Sequence, residues 1–402
     1  MTVQNITLNW DQLLELAQAN TTARRVRRPG QSPSTAPIPS SLHKLPPDIA
    51  PPVLLYRDTH SWCPFCERVW FALEEKEIPF ETEFIDLSNK PKWYTDLVPT
   101  TLVPAAKIEG ELVYESKDIL LALEERFPET SLLPADAEEN AIARQLIEDA
   151  ETNGFKEAAY KFLREAADPN DLDTLKQSFE AKLDELEQAL SKYPGSYFLS
   201  TFSLVDIMYS PHLDRLAANL PVYRGYHIKE NSRYPNLNAW FAALNDRPAY
   251  HRVKSDEATN NLLLRRRWGV EPISNPLPLD PVLSEASQYR AEAAERLSDN
   301  REAAIVDILK NSGVQALGDI STVKDAIEAH LKLLATYLLY GDKTQLPWGR
   351  VGGKDNLDPA FSAIGAITFA YLRNRICAPR DMSAGAATAF RAAADKVLAS
   401  IY

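Results

Sequence analysis

The chain of 402 residues is 45% hydrophobic and 25% charged, an ordinary globular composition that excludes disorder, collagen-like repeats or a disulfide scaffold for the chain as a whole. At roughly 100 to 200 residues per domain, this length allows two to four domains, each able to bury a core. With 44 basic against 56 acidic residues the net charge is −12, which argues against a nucleic-acid partner because phosphate binding rests on clustered Lys and Arg.

Thr7 to Asn20 carries Trp10, Leu13, Leu14 and Ala17 at helical spacing behind Asn9 as a cap, so it reads as a short amphipathic helix that needs a surface to lie on. The following stretch to Pro52, rich in Pro, Ser and Thr and bearing Arg24, Arg25, Arg27 and Arg28, reads as a linker laid over the surface. From Val53 the pattern changes. Val53-Leu54-Leu55-Tyr56 is a buried-strand run, and Cys63 opens a helical pattern through Val69, Trp70 and Leu73. Pro79 to Ile85 predicts a second strand, and Ala105 to Ile108 with Leu112 to Tyr114 predicts a hairpin turning through Glu109-Gly110-Glu111. Ser116 to Phe127 closes the unit as a helix. This β-α-β, then β-β-α order is the pattern of an α/β thioredoxin-like domain.

After Pro128 the strand signals stop. Helical runs follow at Glu138–Glu165, Leu172–Lys192, Leu204–Asn219, Leu237–Leu244 and His251–Arg267, which predicts an all-helical second domain. Within it, Ser203 and Asp206 are spaced as a capping box, with Phe202 and Ile207 as its hydrophobic staple. A proline-rich break near Val270 to Pro281 precedes three or four further helical segments that run to Tyr402. Gly349 to Gly353 reads as a turn between helices, since it lacks the spacing and the Ser/Thr of a phosphate-binding loop. The longest charge-free apolar stretch, Phe361 to Leu372, is shorter than the roughly 20 residues that cross a bilayer, so no membrane partner is expected.

The three cysteines, Cys63, Cys66 and Cys377, form no secreted-protein disulfide framework and point to a reducing compartment. The first residues have no basic segment followed by an apolar one, and Asp11 and Glu15 speak against a transit peptide; a cytoplasmic protein is expected. Trp62-Cys63-Pro64-Phe65-Cys66 sits where the first strand hands over to the first helix of the α/β unit. There the open N–H groups and the positive end of the helix dipole favour a thiolate at Cys63, the candidate nucleophile. Cys66, one turn further on, either resolves a mixed disulfide or packs as a small apolar side chain. With no second C-x-x-C or C-x-x-H, no metal is expected.

Val103-Pro104 enters a strand at a bond where a cis peptide is accessible, and Glu115-Ser116 opens the next helix, where N–H groups and a hydroxyl can receive a carboxylate. His60 reads as an exposed loop residue. The tail aromatics Tyr337, Tyr340, Trp348, Phe361, Phe369 and Tyr371 read as helical core, and Cys377 as structural.

Cys63-Pro64-Phe65, Asn89-Lys90-Pro91-Lys92-Trp93-Tyr94, Leu102-Val103-Pro104 and Tyr114-Glu115-Ser116 stand in the order and spacing of a glutathione transferase. The region from Val53 to about Arg267 resembles that superfamily, and within it the cysteine-type omega and lambda classes. The resemblance implies a thioredoxin-like glutathione-binding domain at 53–130 and an all-helical domain at 131–270. These would be flanked by an N-terminal extension at 1–52 and a helical extension at 271–402. It implies glutathione as cosubstrate, with Cys63 forming a mixed disulfide with it and Phe65 lining the pocket. Lys90 would meet the glycine-end carboxylate, and Val103, before Pro104, the backbone of the glutathione cysteine. Glu115 and Ser116 would hold the γ-glutamyl end.

Cys66 departs from the alanine usual in those classes and leaves a dithiol route open. The extensions, with Arg375-Ile376-Cys377-Ala378-Pro379-Arg380-Asp381-Met382, are similar to the iota class of photosynthetic organisms. The implied activity is a glutathione-dependent thiol transferase or reductase, acting in deglutathionylation or in disulfide or dehydroascorbate reduction. Its partners would be a small hydrophobic or disulfide substrate and a second copy in a homodimer altered by the extensions. The alternative is a non-catalytic ligand-binding or interaction scaffold of the same fold.

Overall fold

The computed structural model describes residues 8–21, 49–164, 169–275, 278–341 and 359–401; residues 22–48 of the arginine-bearing arm, Trp348 and the Gly349–Gly353 turn lie outside them. The described chain falls into two units, one made of Met1–Ile38 with Pro278–Tyr402 and the other of Pro39–Leu277.

In the second unit, β1 (Val53–Asp58) is the inner strand on which the sheet is built. Its near-continuous burial fits a strand covered on both faces. The helix α2 (Pro64–Glu75) supplies the crossover to β2 (Phe80–Ile85), which runs parallel to β1 from Val53↔Phe80 to Asp58↔Ile85. A short helix α3 (Lys92–Leu97), which the sequence pattern does not announce, leads to β3 (Ala105–Ile108). That strand pairs antiparallel with β1 and with β4 (Glu111–Tyr114), giving the order β2-β1-β3-β4. The hairpin turns at Glu109 and Gly110, both at positive φ (51° and 91°), as a two-residue turn matched to strand twist requires. α4 (Ser116–Arg126) completes the thioredoxin-like domain.

The helical domain follows as α5 (Ala137–Thr152), α6 (Phe155–Arg164), α7 (Pro169–Leu190), α8 (Leu204–Arg224), α9 (Pro235–Asn245), α10 (Pro248–Val253) and α11 (Glu257–Trp268). Two runs that read as single helices are each broken. The first breaks at Gly154, whose φ of 74° a helix cannot continue, and the second between Val253 and Glu257. α8 is buried almost all round and packs against α2, α5, α6 and α11, so it joins the sheet domain to the bundle. The expected capping box forms at its start: Ser203 N donates to Asp206 Oδ2 at 2.9 Å. Phe202 rests against Phe71 and Tyr197.

In the first unit, α1 (Trp10–Asn20) has Asn9 as its cap, with Gln12 reaching back to the Asn9 N–H. Among its described residues the tail holds six α-helices where three or four helical segments were expected: α12 (Pro281–Glu285), α13 (Ser287–Asp299), α14 (Arg301–Asn311), α15 (Ile320–Tyr340), α16 (Pro359–Arg375) and α17 (Ala384–Ile401). Breaks at Ala286 and Asn300 carry neither Gly nor Pro, so the pattern runs through them unmarked. Trp10, Leu13 and Ala17 of α1 are buried in the same core as Ala293, Leu297, Leu331, Leu334 and Phe390 of the tail. No helix among the described residues is long and apolar enough to cross a membrane.

Candidate functional site

The turn after β1 is held from below by Asp58. This carboxylate, 1% exposed, accepts the N–H of Trp62 at 2.7 Å and of Cys63 at 3.2 Å. Cys63 thereby becomes the N-cap of α2, with Pro64 at the first helical position, where its missing N–H costs nothing. Cys63, 8% exposed, stands at the open N-terminus of the helix.

Arg215 of α8 grips the same turn from the bundle. Its Nε and Nη2 donate to the Trp62 carbonyl at 3.0 and 2.6 Å, and Nη2 also to Glu67 at 2.8 Å, with both side chains 3% exposed. Burial disfavours the charge on Arg215, but Glu67, Tyr160 and Cys63 outweigh it and its proton is held more tightly than usual. The Glu67 carboxyl is pushed up to about 7 by burial, with Arg215 pulling the other way.

Cys66 lies one turn into α2 and is 2% exposed. Burial, then its hydrogen bond with Cys63 and the charge there, push its thiol well above the ordinary range. Cys63, Cys66 and Cys377 are free thiols.

The Val103–Pro104 bond is cis, and the Val103 carbonyl accepts from Cys63 Sγ at 3.9 Å. Tyr94 O–H donates to the Leu102 carbonyl at 2.5 Å and Lys90 Nζ to that of Thr101 at 2.8 Å, so the backbone entering β3 is fixed from two sides. Lys90 keeps two further donor hydrogens. Glu115, not Ser116, caps α4: its φ of 67° lies in the left-handed region, and its side chain is exposed. Ser116 is the first helical residue, 6% exposed, and its Oγ accepts from Arg68 Nη1 at 3.4 Å. Arg68 also reaches Glu151 at 2.5 Å and the Met208 carbonyl at 3.0 Å, tying Ser116 to α5 and α8. Phe65 is half-buried, its ring edge-on to His212 with centroids 5.3 Å apart.

Cys63, Cys66, Phe65 and Val103 thus converge on the start of α2, while Lys90, Glu115 and Ser116 stand on the segments that flank β3 and β4. His60 is exposed. In the tail unit Tyr337 and Phe369 are core, Phe361 and Tyr371 pack on it, and Cys377 is 6% exposed with its N–H on Asp381. Asp58, Arg68 and Arg215 escape a reading of the sequence. Of these only Asp58, a turn-former five residues before the cysteine, carries a local signal.

A reactive-type cysteine capping the first helix of a thioredoxin-like domain, with a cis proline beside it and an all-helical domain behind, defines a class of thiol-handling enzyme. Residues 62–126 match the glutathione S-transferase N-terminal domain and residues 144–243 the glutathione S-transferase C-terminal domain. Protein IN2-1 homolog A of Oryza sativa subsp. japonica is 36% identical over 199 residues, covering 48% of this chain and 78% of its own. Glutathione S-transferase L1 of Arabidopsis thaliana is 32% identical over 198 residues, 48% of this chain and 79% of its own. The structure of glutathione transferase Omega 3C from Trametes versicolor shares 28% identity over 54% of this chain and 91% of its own, with a TM-score of 0.47. The chain belongs to the glutathione S-transferase family, as a member of the cysteine type. Glutathione is the cosubstrate of that family.

Proposed function

We propose that this protein is a glutathione-dependent thiol transferase working through a Cys63–glutathione mixed disulfide. The observation that carries the reading is Cys63 itself, a thiol at the N-cap of α2 whose flanking peptides are clamped by Asp58 and Arg215, 3.9 Å from the Val103 carbonyl. The Cys63 thiolate attacks the glutathionyl sulfur of a mixed disulfide and the other thiolate leaves and takes up a proton. A glutathione thiolate then displaces Cys63 and departs as glutathione disulfide. Dehydroascorbate and glutathionylated aromatic compounds are further substrates of this reading.

Val103 would pair with the backbone of the glutathione cysteine, Lys90 would meet the glycine carboxylate, and Glu115 and Ser116 would hold the γ-glutamyl group. A cytoplasmic setting, a homodimer altered by the extensions and membership of the iota class belong to the same reading. Burial of Cys66 and its raised thiol favour the monothiol route over cycling between Cys63 and Cys66.

The test is reduction of the hydroxyethyl–glutathione mixed disulfide by the intact protein, Cys63→Ser and Cys66→Ser, with intact-mass detection of the glutathione adduct. Activity and adduct both vanish in Cys63→Ser, and turnover persists in Cys66→Ser. Loss of turnover in Cys66→Ser would establish the dithiol route instead. An intact protein with neither turnover nor adduct would sink the enzyme reading in favour of a scaffold.

A further inference from the structure

On the bundle side of Cys63 the side chains close a circuit. Trp62, just before the thiol, meets Trp268 at the end of α11, with centroids 4.8 Å apart. Arg164 at the end of α6 lies over both Trp268 and Tyr160, at 4.5 Å from each ring. The Tyr160 hydroxyl is hydrogen-bonded to His212 Nδ1 at 3.0 Å, and His212 returns to Phe65, two residues after the thiol. Trp62, Phe65, Tyr160, Arg164 and Trp268 are all half-buried, so the wall presents aromatic surface without being sealed.

The circuit is aromatic and cationic together. Arg68 and Lys156 lie over the Phe65 ring, at 5.1 and 5.4 Å, and share Glu151 as their carboxylate partner. Arg267 lies 5.3 Å from the Trp62 ring. Glu67 is engaged by Arg215. Among the described residues neither Arg164 nor Arg267 has a carboxylate within ion-pair distance, and Arg164 Nε is buried without a hydrogen-bond partner. The same holds for Nε2 of His212, a side chain only 2% exposed. Buried donors and acceptors in native proteins are nearly always paired. The Arg164 nitrogen, always a donor, therefore marks a place beside these rings for a ligand with its own acceptor.

We infer that this wall is a specificity site for planar aromatic groups that carry an anionic substituent, a carboxylate above all, with Arg164 as the residue that selects the charge. The aromatic ring of the glutathionyl substrate packs against Trp268 and Tyr160, and its carboxylate meets the Arg164 guanidinium, which stacks on those rings and can offer paired donors. The assignment rests on the thiol-transferase reading for the position of the glutathionyl half.

Binding separates the two claims. S-methylglutathione, S-(4-carboxybenzyl)glutathione and its neutral isostere S-(4-carbamoylbenzyl)glutathione are titrated by calorimetry into the intact protein, Arg164→Gln and Arg164→Lys. In the intact protein the acid binds about tenfold more tightly than the amide, one charge-assisted contact's worth, and the ratio falls as salt is raised. In Arg164→Gln the ratio drops to near one, while Arg164→Lys keeps most of it. Because the comparison is a ratio within each protein, a general loss of affinity does not imitate the effect, and the ratio in the intact protein decides even if a variant fails to fold. Equal affinity for acid and amide in the intact protein, or an undiminished ratio in Arg164→Gln, overturns the proposal while leaving the glutathione site standing. Failure of S-methylglutathione itself to bind overturns the glutathione reading and this proposal with it.

Discussion

A carboxyl group at 3% exposure beside a guanidinium must balance desolvation against attraction, and at Glu67 desolvation leads. Its value near 7 in the folded chain, against an ordinary 4.5, means the native state binds more protons than the unfolded one between about pH 4.5 and 7. The stability this group contributes is therefore fully present below about pH 4.5 and lost as pH rises through 7. Comparing urea midpoints of the intact protein and Glu67→Gln at pH 5 and pH 8 isolates it. The intact protein loses on the order of 2 kcal/mol more than the variant between the two pH values, and equal losses would contradict the assignment. The placement of Cys63, Val103 and Ser116 was legible in the sequence because it is set by immediate neighbours: a strand end, a following proline, a helix start. Arg215 was not, since its partners Trp62 and Glu67 lie 153 and 148 positions away. Without them it reads as a solvated arginine on a helix.

At the scale of elements, α8 depends on one carboxylate at its start. Asp206, fully buried, accepts from the Ser203 N–H and hydroxyl, from Trp240 Nε1 at 2.8 Å and from the Phe198 N–H at 3.2 Å. Asp206→Ala strands those donors in the core and costs roughly 3 to 5 kcal/mol, while Asp206→Asn, which keeps an acceptor oxygen, costs less. Denaturant unfolding checks the order, and a loss below about 1 kcal/mol for the alanine variant would reduce the box to an ordinary surface cap. The box was legible because its spacing is local. The far end of α8 was not: the sequence pattern stops at Asn219, before Pro221, whereas the helix runs on to Arg224 and ends at Gly225 in the left-handed conformation, with its N–H on the Leu220 carbonyl. A proline signals a lost hydrogen bond, but packing around a buried helix decides whether the chain stops there.

At the scale of the whole molecule, the first helix and the tail, at opposite ends of the chain, share one core. The amphipathic face of α1 announces that it must be covered and says nothing of what covers it, because the partner is reached across 318 positions: Trp10 Nε1 donates to Glu328 at 3.0 Å. Arg301 and Lys332 lie 5.6 and 5.7 Å from the same ring, and Leu13 and Ala17 are fully buried below it. If α1 is an integral part of this unit, Trp10→Ala removes ring burial and cation contacts together. It should then destabilise the unit by roughly 3 kcal/mol. Trp10→Phe gives up chiefly the bond to Glu328 and costs about 1 kcal/mol. Amide hydrogen exchange reads both, as lost protection in α13 and α15, the helices α1 packs on. Unchanged protection there in Trp10→Ala would mean that α1 is carried on the tail without supporting it, and equal losses in the two variants would assign its attachment to the Glu328 bond instead of the buried ring.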